Sequence, residues 1–382
     1  MQIFPEKMKR ALKSTLFGLM LAASVTVQSL GAQASGTGET AAREETAESP
    51  VAMDVVYGYQ NTAKSGRFLP IKIQLDSRTS QTFKGTLCIL AMEPDFQGYN
   101  MNLDYDVYRY EYPVEIEPGG NMNKSVSISL GARVDQMYVR LLDENGNEVV
   151  SKRLKLNLNL ETAELFIGVL SDNPAELLYF NGVGINYSTL RTKTIEMTAA
   201  TLPVTELGLD QLDVLLITDF DSGKLSGQQI EAVWEWVRKG GVLLIGTGGR
   251  GEDTLRAFGR ELLEQPLPQP DERVINMGVE YAVDRPEGAS IPLTCTDVML
   301  KGGTEVLGSE ELSVLSSVSV GNGLAAVAMY DFVDIEEFCQ ANISYIDNLF
   351  TTLLGEDKIN GLASAMDGST SSQFWSVQGL IN

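Results

Sequence analysis

The sequence contains no histidine among its 382 residues. Without imidazole there is no Ser-His-Asp or Cys-His pair, no histidine-ligated zinc or haem, and no histidine pH switch. Basic residues are also scarce, since 29 Lys and Arg stand against 51 Asp and Glu, a formal net charge of −22. This charge argues against a nucleic-acid partner and against docking on an anionic membrane surface, because both depend on Lys and Arg. Carboxylate chemistry survives these exclusions.

Cysteine is the third scarce residue. The three cysteines, Cys88, Cys295 and Cys339, are far apart, and each lies in an apolar stretch. An exported disulfide framework normally has an even, clustered set, and the sequence has no Cys-x-x-Cys spacing of a structural metal site. We therefore predict three small buried side chains, no metal and no cofactor. One long-range disulfide remains an open alternative.

The N-terminus has the pattern of a secretory signal peptide. Four basic residues up to Lys13 precede an apolar run that extends to about Leu30, and Ala32-Gln33-Ala34 is a small-x-small cleavage signal. We predict a signal peptide at 1–34, cleavage after Ala34, and an extracytoplasmic location, either secreted or associated with the cell envelope. An uncleaved membrane anchor is the alternative. Residues 35–50 lack large apolar side chains, which predicts a disordered acidic linker.

Residues 51–161 have the pattern of β-strands. Apolar and polar residues alternate at 67–75, 126–130 and 154–160, which predicts strands with one buried face. Asn145-Gly146 predicts a tight hairpin turn, because both residues accept positive φ. Roughly six to eight short strands predict an antiparallel immunoglobulin-like β-sandwich. The closely spaced tyrosines from 105 to 112 are expected to cover one face of a sheet.

From 162 to 355 the pattern changes to α/β. Largely apolar segments at 165–170, 214–220 and 242–246 predict parallel strands buried on both faces. The helix after the second run should begin with a capping box of Ser226 and Gln229. Its apolar face includes Trp234, so we expect Trp236 to be partly exposed.

The predicted fold class is a flavodoxin-like, parallel α/β sheet preceded by the immunoglobulin-like sandwich. A proline-rich break and a return of the β pattern predict a β insertion at about 266–321. The Gly- and Ser-rich segment 356–382 is predicted to be a poorly ordered tail.

The predicted parallel strands bring several polar residues to one edge of the sheet. Because α/β folds place their sites at the carboxyl ends of strands, we expect one candidate binding rim, formed by Asp172, Asp219, Asp221 and Thr247. The segment from Asp219 matches only the first half of a calcium-binding loop. The glycine-rich loop 247–251 fits neither the P-loop nor the dinucleotide spacing, and two acidic residues follow it, so phosphate binding is disfavoured.

Three sequence blocks resemble a known family. Residues 212–229, residues 236–248 with Trp236-Val237 and Gly240-Gly241, and residues 321–332 resemble the class I glutamine amidotransferase-like domain of exported, membrane-anchored proteins in Gram-positive bacteria. The resemblance implies a β-sandwich before the α/β domain, and a nucleophilic Cys with a His. The elbow at 246–250 has no Cys and the chain has no His, so the resemblance implies a catalytically degenerate member.

These features predict a non-catalytic exported envelope protein that acts as a binding or scaffolding module, with no catalytic residues. The expected partners are other envelope or membrane proteins, and membrane anchoring is expected only through sequence beyond Asn382. One alternative is a glycan-directed extracellular hydrolase with Asp219 and Asp221 as its carboxylates. The other alternative is a calcium-stabilised adhesion module.

Overall fold

The computed structural model describes residues 49–95, 104–131, 134, 136–156, 163–186, 188–277, 290–309 and 312–364. The predicted signal peptide, most of the predicted linker and the predicted domain boundary at 161/162 lie outside these residues. The boundary and the cleavage after Ala34 therefore stay predictions.

The first region of the chain forms two antiparallel sheets from seven strands. The strands are β1 (Val51–Tyr57), β2 (Phe68–Ser77), β3 (Phe83–Asp95), β4 (Asp104–Ile116), β5 (Asn121–Ser129), β6 (Gln136–Asp143) and β7 (Glu148–Lys155). One sheet has the order β1-β2-β5 and the other the order β4-β3-β6-β7. Alternate residues of each sheet enter one apolar cluster, for example Ile71 and Ile73 of β2 and Leu87 and Ile89 of β3.

The β6–β7 hairpin forms at the predicted turn. Gly146 has a φ of 83°, which glycine adopts without strain. The Asp143 carboxylate accepts hydrogen bonds from the backbone N–H groups of Asn145 and Asn147, at 2.9 and 2.8 Å. The turn prediction is confirmed.

A mixed sheet of seven strands forms the second region. Its strands are β8 (Glu164–Leu170), β9 (Arg191–Met197), β10 (Val214–Ile217), β11 (Val242–Gly246), β14 (Thr304–Ser309), β15 (Leu312–Val320) and β16 (Gly323–Ala328), in the order β14-β15-β16-β11-β10-β8-β9. The strands predicted at 165–170, 214–220 and 242–246 are parallel neighbours, although the second is shorter than predicted and ends at Ile217. In β8, Ile167 packs in one apolar cluster and Phe166 packs in another, so this strand is buried on both faces.

Seven α-helices accompany the strands in the described part of the second region. They are α1 (Glu206–Leu209), α2 (Gly227–Arg238), α3 (Gly251–Thr254), α4 (Gly259–Leu262), α5 (Glu336–Ala341), α6 (Ile343–Leu354) and α7 (Glu356–Ser364). Short 3-10 helices lie at Pro174–Phe180, Ser222–Lys224, Gly248–Arg250 and Phe332–Ile335. The capping box predicted for α2 is present, because Ser226 and Gln229 satisfy each other's backbone N–H groups.

The predicted exposure of Trp236 is wrong. Its side chain is buried, with a relative exposure of 5%. The chain turns back at the end of α2, and a Cβ on Gly241 would lie only 2.4 Å from the Trp236 ring. The bare backbone of Gly241 therefore covers the ring, which a single-helix argument does not foresee.

The predicted fold class is also wrong. Among the described residues, strands account for 44% and helices for 25%, with antiparallel sheets, so this part of the chain is mostly β and not a flavodoxin-like domain preceded by an immunoglobulin sandwich. The segment predicted as an insertion shows why. Its hairpin of β12 (Asp271–Asn276) and β13 (Ser290–Cys295) makes a separate two-stranded sheet, whereas β14 and β15 extend the main sheet as antiparallel strands.

The C-terminal prediction needs a correction as well. Residues 356–364 were predicted to be poorly ordered, but they form α7, which buries Ile359 and lets the Lys358 Nζ donate to the Gly240 carbonyl at 2.6 Å. All three cysteines are buried and free, so the open alternative of a disulfide is not realised. Within the described residues no helix has the length and apolarity to cross a membrane.

A buried ion cluster joins the two regions. Lys64 and Arg67, from the segment that leads into β2, both pair with Asp213, which precedes β10, and the Arg67–Asp213 distance is 2.7 Å. The Asp213 carboxylate also accepts a hydrogen bond from the Phe166 backbone N–H at 2.7 Å. Burial alone would raise the pKa of Asp213, but the two cations outweigh it and lower the pKa to about 2.

Candidate functional site

Four polar residues follow the carboxyl ends of adjacent parallel strands. Asp172 comes after β8, Asp219 after β10, Thr247 after β11, and Asp331 after β16. Asp219 has a φ of 45°, which is uncommon for a residue with a side chain. The Asp172 backbone N–H donates to the Asp219 carbonyl at 3.0 Å, so these two loop segments touch.

Arg250 closes this edge of the sheet. Its guanidinium pairs with the carboxylates of Asp219 and Asp172, the latter at 3.2 Å, and also donates to the Asp219 carbonyl at 3.2 Å. Lys224 contacts the other oxygen of Asp172 at 2.8 Å, and the Asn173 amide donates to Asp219 at 2.6 Å. The carboxylates of the rim are therefore engaged by the protein's own donors.

Asp331 is the most buried carboxyl of the group. It is 4% exposed and accepts hydrogen bonds from the Thr218 hydroxyl at 2.6 Å, the Asp219 N–H at 3.0 Å and the Val333 N–H at 3.1 Å. Burial raises its pKa to about 6, against the opposing effect of the Thr218 and Val333 hydrogen bonds. The carboxyl thus ties the end of β10 to the segment after β16.

The remaining predicted rim residues serve local structure. The Asp221 carboxylate caps the 3-10 helix Ser222–Lys224 by accepting from the Gly223 N–H at 3.0 Å. Thr247 is fully buried, and its hydroxyl donates to the Ala328 carbonyl at 2.7 Å. Asp172 and Asp219 are thus brought together, whereas Thr247 bonds a backbone carbonyl and Asp221 engages the Gly223 N–H and, at 3.7 Å, the Arg256 guanidinium.

The turn after β11 leaves no room for a side chain at its tightest point. Gly248 has a φ of 52°, and a Cβ there would lie 2.8 Å from the Asp331 nitrogen. The segment after β13 covers the same turn, because the Thr296 hydroxyl donates to the Gly248 carbonyl at 2.6 Å. This is the position at which enzymes with a strand–turn–helix elbow expose a nucleophile. Here the turn carries glycine and is covered.

Sequence reasoning missed the residues that close the site. Arg250 was noted only as part of a glycine-rich loop, and Asp331 only as part of a family block. A signal was available for Arg250, since it is a lone cation placed among the loop carboxylates of the predicted rim. The pairing of Asp331 with Thr218 had no local signal, because it joins residues 113 positions apart. Within the described ranges, no group of three or more Asp, Glu or Cys residues has the arrangement of a metal site.

Comparisons with known proteins found one matching family model and several similar solved structures. A family described as "Domain of unknown function (DUF8726)" matches residues 50–157, the first region of the chain. No curated protein matches the chain. Among solved structures, "Cytoplasmic Protein STM1381 from Salmonella typhimurium LT2" is 15% identical, covers 50% of this chain and 99% of its own, and has a TM-score of 0.37. "Cytoplasmic Protein STM3548 from Salmonella typhimurium" is 15% identical, covers 57% and 95%, and has a TM-score of 0.34.

Proposed function

We propose that this protein is a non-catalytic, exported envelope protein that acts as a binding or scaffolding module. The observation that carries the proposal is the turn at Gly248. A nucleophile at that position would need a side chain in the left-handed region, and the backbone nitrogen of Asp331 occupies the space that its Cβ would fill. The sequence has no histidine to activate one.

The state of the rim supports the same proposal. Asp219 and Asp172 are neutralised by Arg250 and Lys224, so neither carboxylate is available as a free general base. Export is supported by the signal-peptide pattern that ends at Ala34.

One observation favours a carboxylate-based hydrolase as a second candidate. Burial raises the pKa of Asp331 to about 6, and its carboxyl accepts a hydrogen bond from the Asp219 N–H at 3.0 Å, so a carboxyl with a raised pKa, the kind that serves in acid–base work, lies beside a second aspartate. A substrate would have to displace the hydrogen bonds from Thr218 and Val333 to reach Asp331, which disfavours this candidate.

The test measures turnover and binding on the same preparation. The purified chain is incubated with glutamine and with isolated cell-wall glycan, and ammonia and new reducing ends are assayed. In parallel, saturable retention on a washed envelope fraction is measured. We expect no product above the buffer rate and saturable retention. Turnover that disappears in Asp331→Asn or Asp219→Asn, with the fold intact by circular dichroism, would replace the proposal with the hydrolase.

Localisation is tested separately. A C-terminally tagged chain is expected in the extracytoplasmic fraction and shortened at its N-terminus, and N-terminal sequencing should start at Ser35. Retention of the uncleaved chain inside the cell would contradict export.

A further inference from the structure

The outer face of the sheet β4-β3-β6-β7 carries an excess of positive charge, unlike the chain as a whole. We call it the basic face. The strand registers place on it the cations Lys84, Arg109, Arg140, Arg153 and Lys155 and the anions Glu111, Glu115 and Glu148. Five cations against three anions contrast with a net charge of −22 for the whole sequence.

Charge is divided unevenly along the chain. Residues 51–160 contain 12 Lys and Arg and 13 Asp and Glu, whereas residues 161–382 contain 12 and 33. The first region is therefore nearly neutral, and a local excess of cations on one of its sheets is not cancelled by its surroundings. A charged surface of one sign attracts partners of the opposite sign and steers their approach.

The guanidinium groups on this face are arranged around an aromatic ring. Leu90 of β3 has Arg109 on one side and Tyr138 on the other, and Tyr138 in turn pairs with Arg153. The guanidinium carbons of Arg140 and Arg153 lie 5.5 and 5.8 Å from the centre of the Tyr138 ring. The row crosses four strands, which at ~4.8 Å per strand spans about 14 Å, the length of a short extended peptide.

The charge on this row is only partly neutralised within the protein. Arg109 pairs with Glu111, and Arg140 lies 3.4 Å from Glu148. Arg153, in contrast, donates to the neutral side-chain oxygen of Gln136 at 2.8 Å. Its guanidinium therefore keeps its positive charge and is exposed to solvent.

Apolar side chains share the face with the cations. Val107 is half exposed, and Leu90 and Met92 are partly exposed on the neighbouring strand. Arginines with an aromatic ring and apolar side chains are the mixture that protein–protein contacts favour.

We propose that the basic face docks an acidic polypeptide segment. The inference rests on the proposed binding function and names its surface and the class of its partner. A long polyanion would extend beyond the face and be repelled by a chain whose formal net charge is −22. A short acidic segment that ends within the face avoids this repulsion.

The experiment measures fluorescence anisotropy of a fluorescein-labelled tetra-glutamate peptide, which spans about 13 Å when extended, titrated with the full chain. We expect saturable binding at low salt that weakens as salt rises. Charge reversal by Arg153→Glu should weaken binding by at least about tenfold, and Lys155→Glu should weaken it in the same direction. The matched control Arg260→Glu, on exposed residue 260 of the second region, should stay within about twofold.

The other outcomes overturn either the inference or the proposed function. Absence of binding, or an equal loss in Arg153→Glu and Arg260→Glu, removes the basic face as the site. Dextran sulfate that binds more tightly than the peptide, with the same dependence on Arg153, makes the partner a general polyanion instead of a polypeptide. Turnover by a chain that still binds tetra-glutamate through Arg153 would overturn the proposed function alone. Unchanged circular dichroism and melting temperature of each variant exclude misfolding as the cause.

Discussion

The strands before residue 157 and the mixed sheet after residue 162 differ in how they treat charge. The first region is nearly neutral in total, and it leaves guanidinium groups such as that of Arg153 exposed on a sheet face. The second region holds 33 of the 51 acidic residues, yet at its strand ends Arg250 neutralises Asp172 and Asp219.

This difference separates the sheet face that we propose as a binding surface from the strand-end rim, where α/β folds place their sites. A strand-end rim that is internally paired contributes to stability and offers few free groups to a ligand. An exposed face with an unbalanced cation offers a contact to a partner at little structural cost. The cluster at Asp213 is a third case, because its paired charges come from both regions and join them to each other.

The largest expected effect comes from breaking that cluster. Asp213→Ala leaves the partly buried Lys64 and Arg67 cations beside each other without the buried Asp213 carboxylate, which costs about 3–5 kcal/mol of unfolding free energy. Urea unfolding followed by tryptophan fluorescence and by circular dichroism measures the loss. We expect the two signals to separate, because tryptophan reports on the second region and the first region loses its tie to it.

The matched control is Asp54→Asn. Asp54 pairs with Lys152 at 2.7 Å, but its side chain is 70% exposed, so we expect a change below about 1 kcal/mol. Equal effects of the two substitutions would mean that the buried cluster does not couple the regions. The pKa of Asp213, near 2, also means that its contribution is present above pH 4 and is lost only as pH falls toward 2.

The second effect concerns Asp331. Because burial raises its pKa to about 6, the folded state binds a proton that the unfolded state releases near pH 4. Its contribution is therefore fully present below about pH 4 and is lost as pH rises through 6, a change of about 3 kcal/mol at ~1.4 kcal/mol per pKa unit.

Unfolding free energies of the wild type and of Asp331→Asn, measured from pH 4 to pH 7, isolate this contribution. The difference between the two proteins should shift in favour of the variant as pH rises. A constant difference across the range would show that Asp331 does not titrate there. Asp347→Asn, which alters a carboxyl on α6, controls for general effects of removing one acid.

Some of this architecture could be predicted from the sequence. The parallel pairing of β8, β10 and β11 followed from continuous apolar runs, because a strand buried on both faces has no polar side. The cap of α2 followed from Ser226 and Gln229, which interact within four residues of chain.

Other features depend on contacts between distant segments. The sequences of β14 and β15 carry no signal that these strands join the edge of the main sheet, because an exposed sheet edge can pair with any strand of suitable length. Trp236 is buried by the backbone after its own helix, and the partners of Asp331 come from another strand end. The rim was therefore located correctly for Asp172 and Asp219, while its closure by Arg250 required the assembled sheet.

The third prediction concerns the turn at Gly248, which leaves no room for a nucleophilic side chain. Gly248→Ala places a Cβ against the Asp331 nitrogen at a φ of 52°, which should cost about 2 kcal/mol or more from the left-handed conformation and the close contact. Gly249→Ala is the control, since its Cβ would meet the Thr294 methyl at an ordinary 3.5 Å. Thermal unfolding compares them. If both variants melt together, the turn can accept a side chain and the argument against a nucleophile there fails.

The smallest effect concerns Arg250. Its side chain is 37% exposed, so solvent screens its pairs with Asp172 and Asp219, and Arg250→Ala should cost only about 1 kcal/mol in low salt and less as salt rises. Arg238→Ala is the matched control, because Arg238 is 44% exposed and pairs with Glu231 and Glu235 on α2, outside the rim. The loss of Arg250 leaves Asp219, whose carboxylate is 11% exposed, beside Asp172 with one cation fewer. Urea unfolding at two salt concentrations should therefore show a salt-dependent gap between the two variants. If the difference in unfolding free energy between the two variants is the same at high salt, Arg250 stabilises the rim through packing and not through its charge.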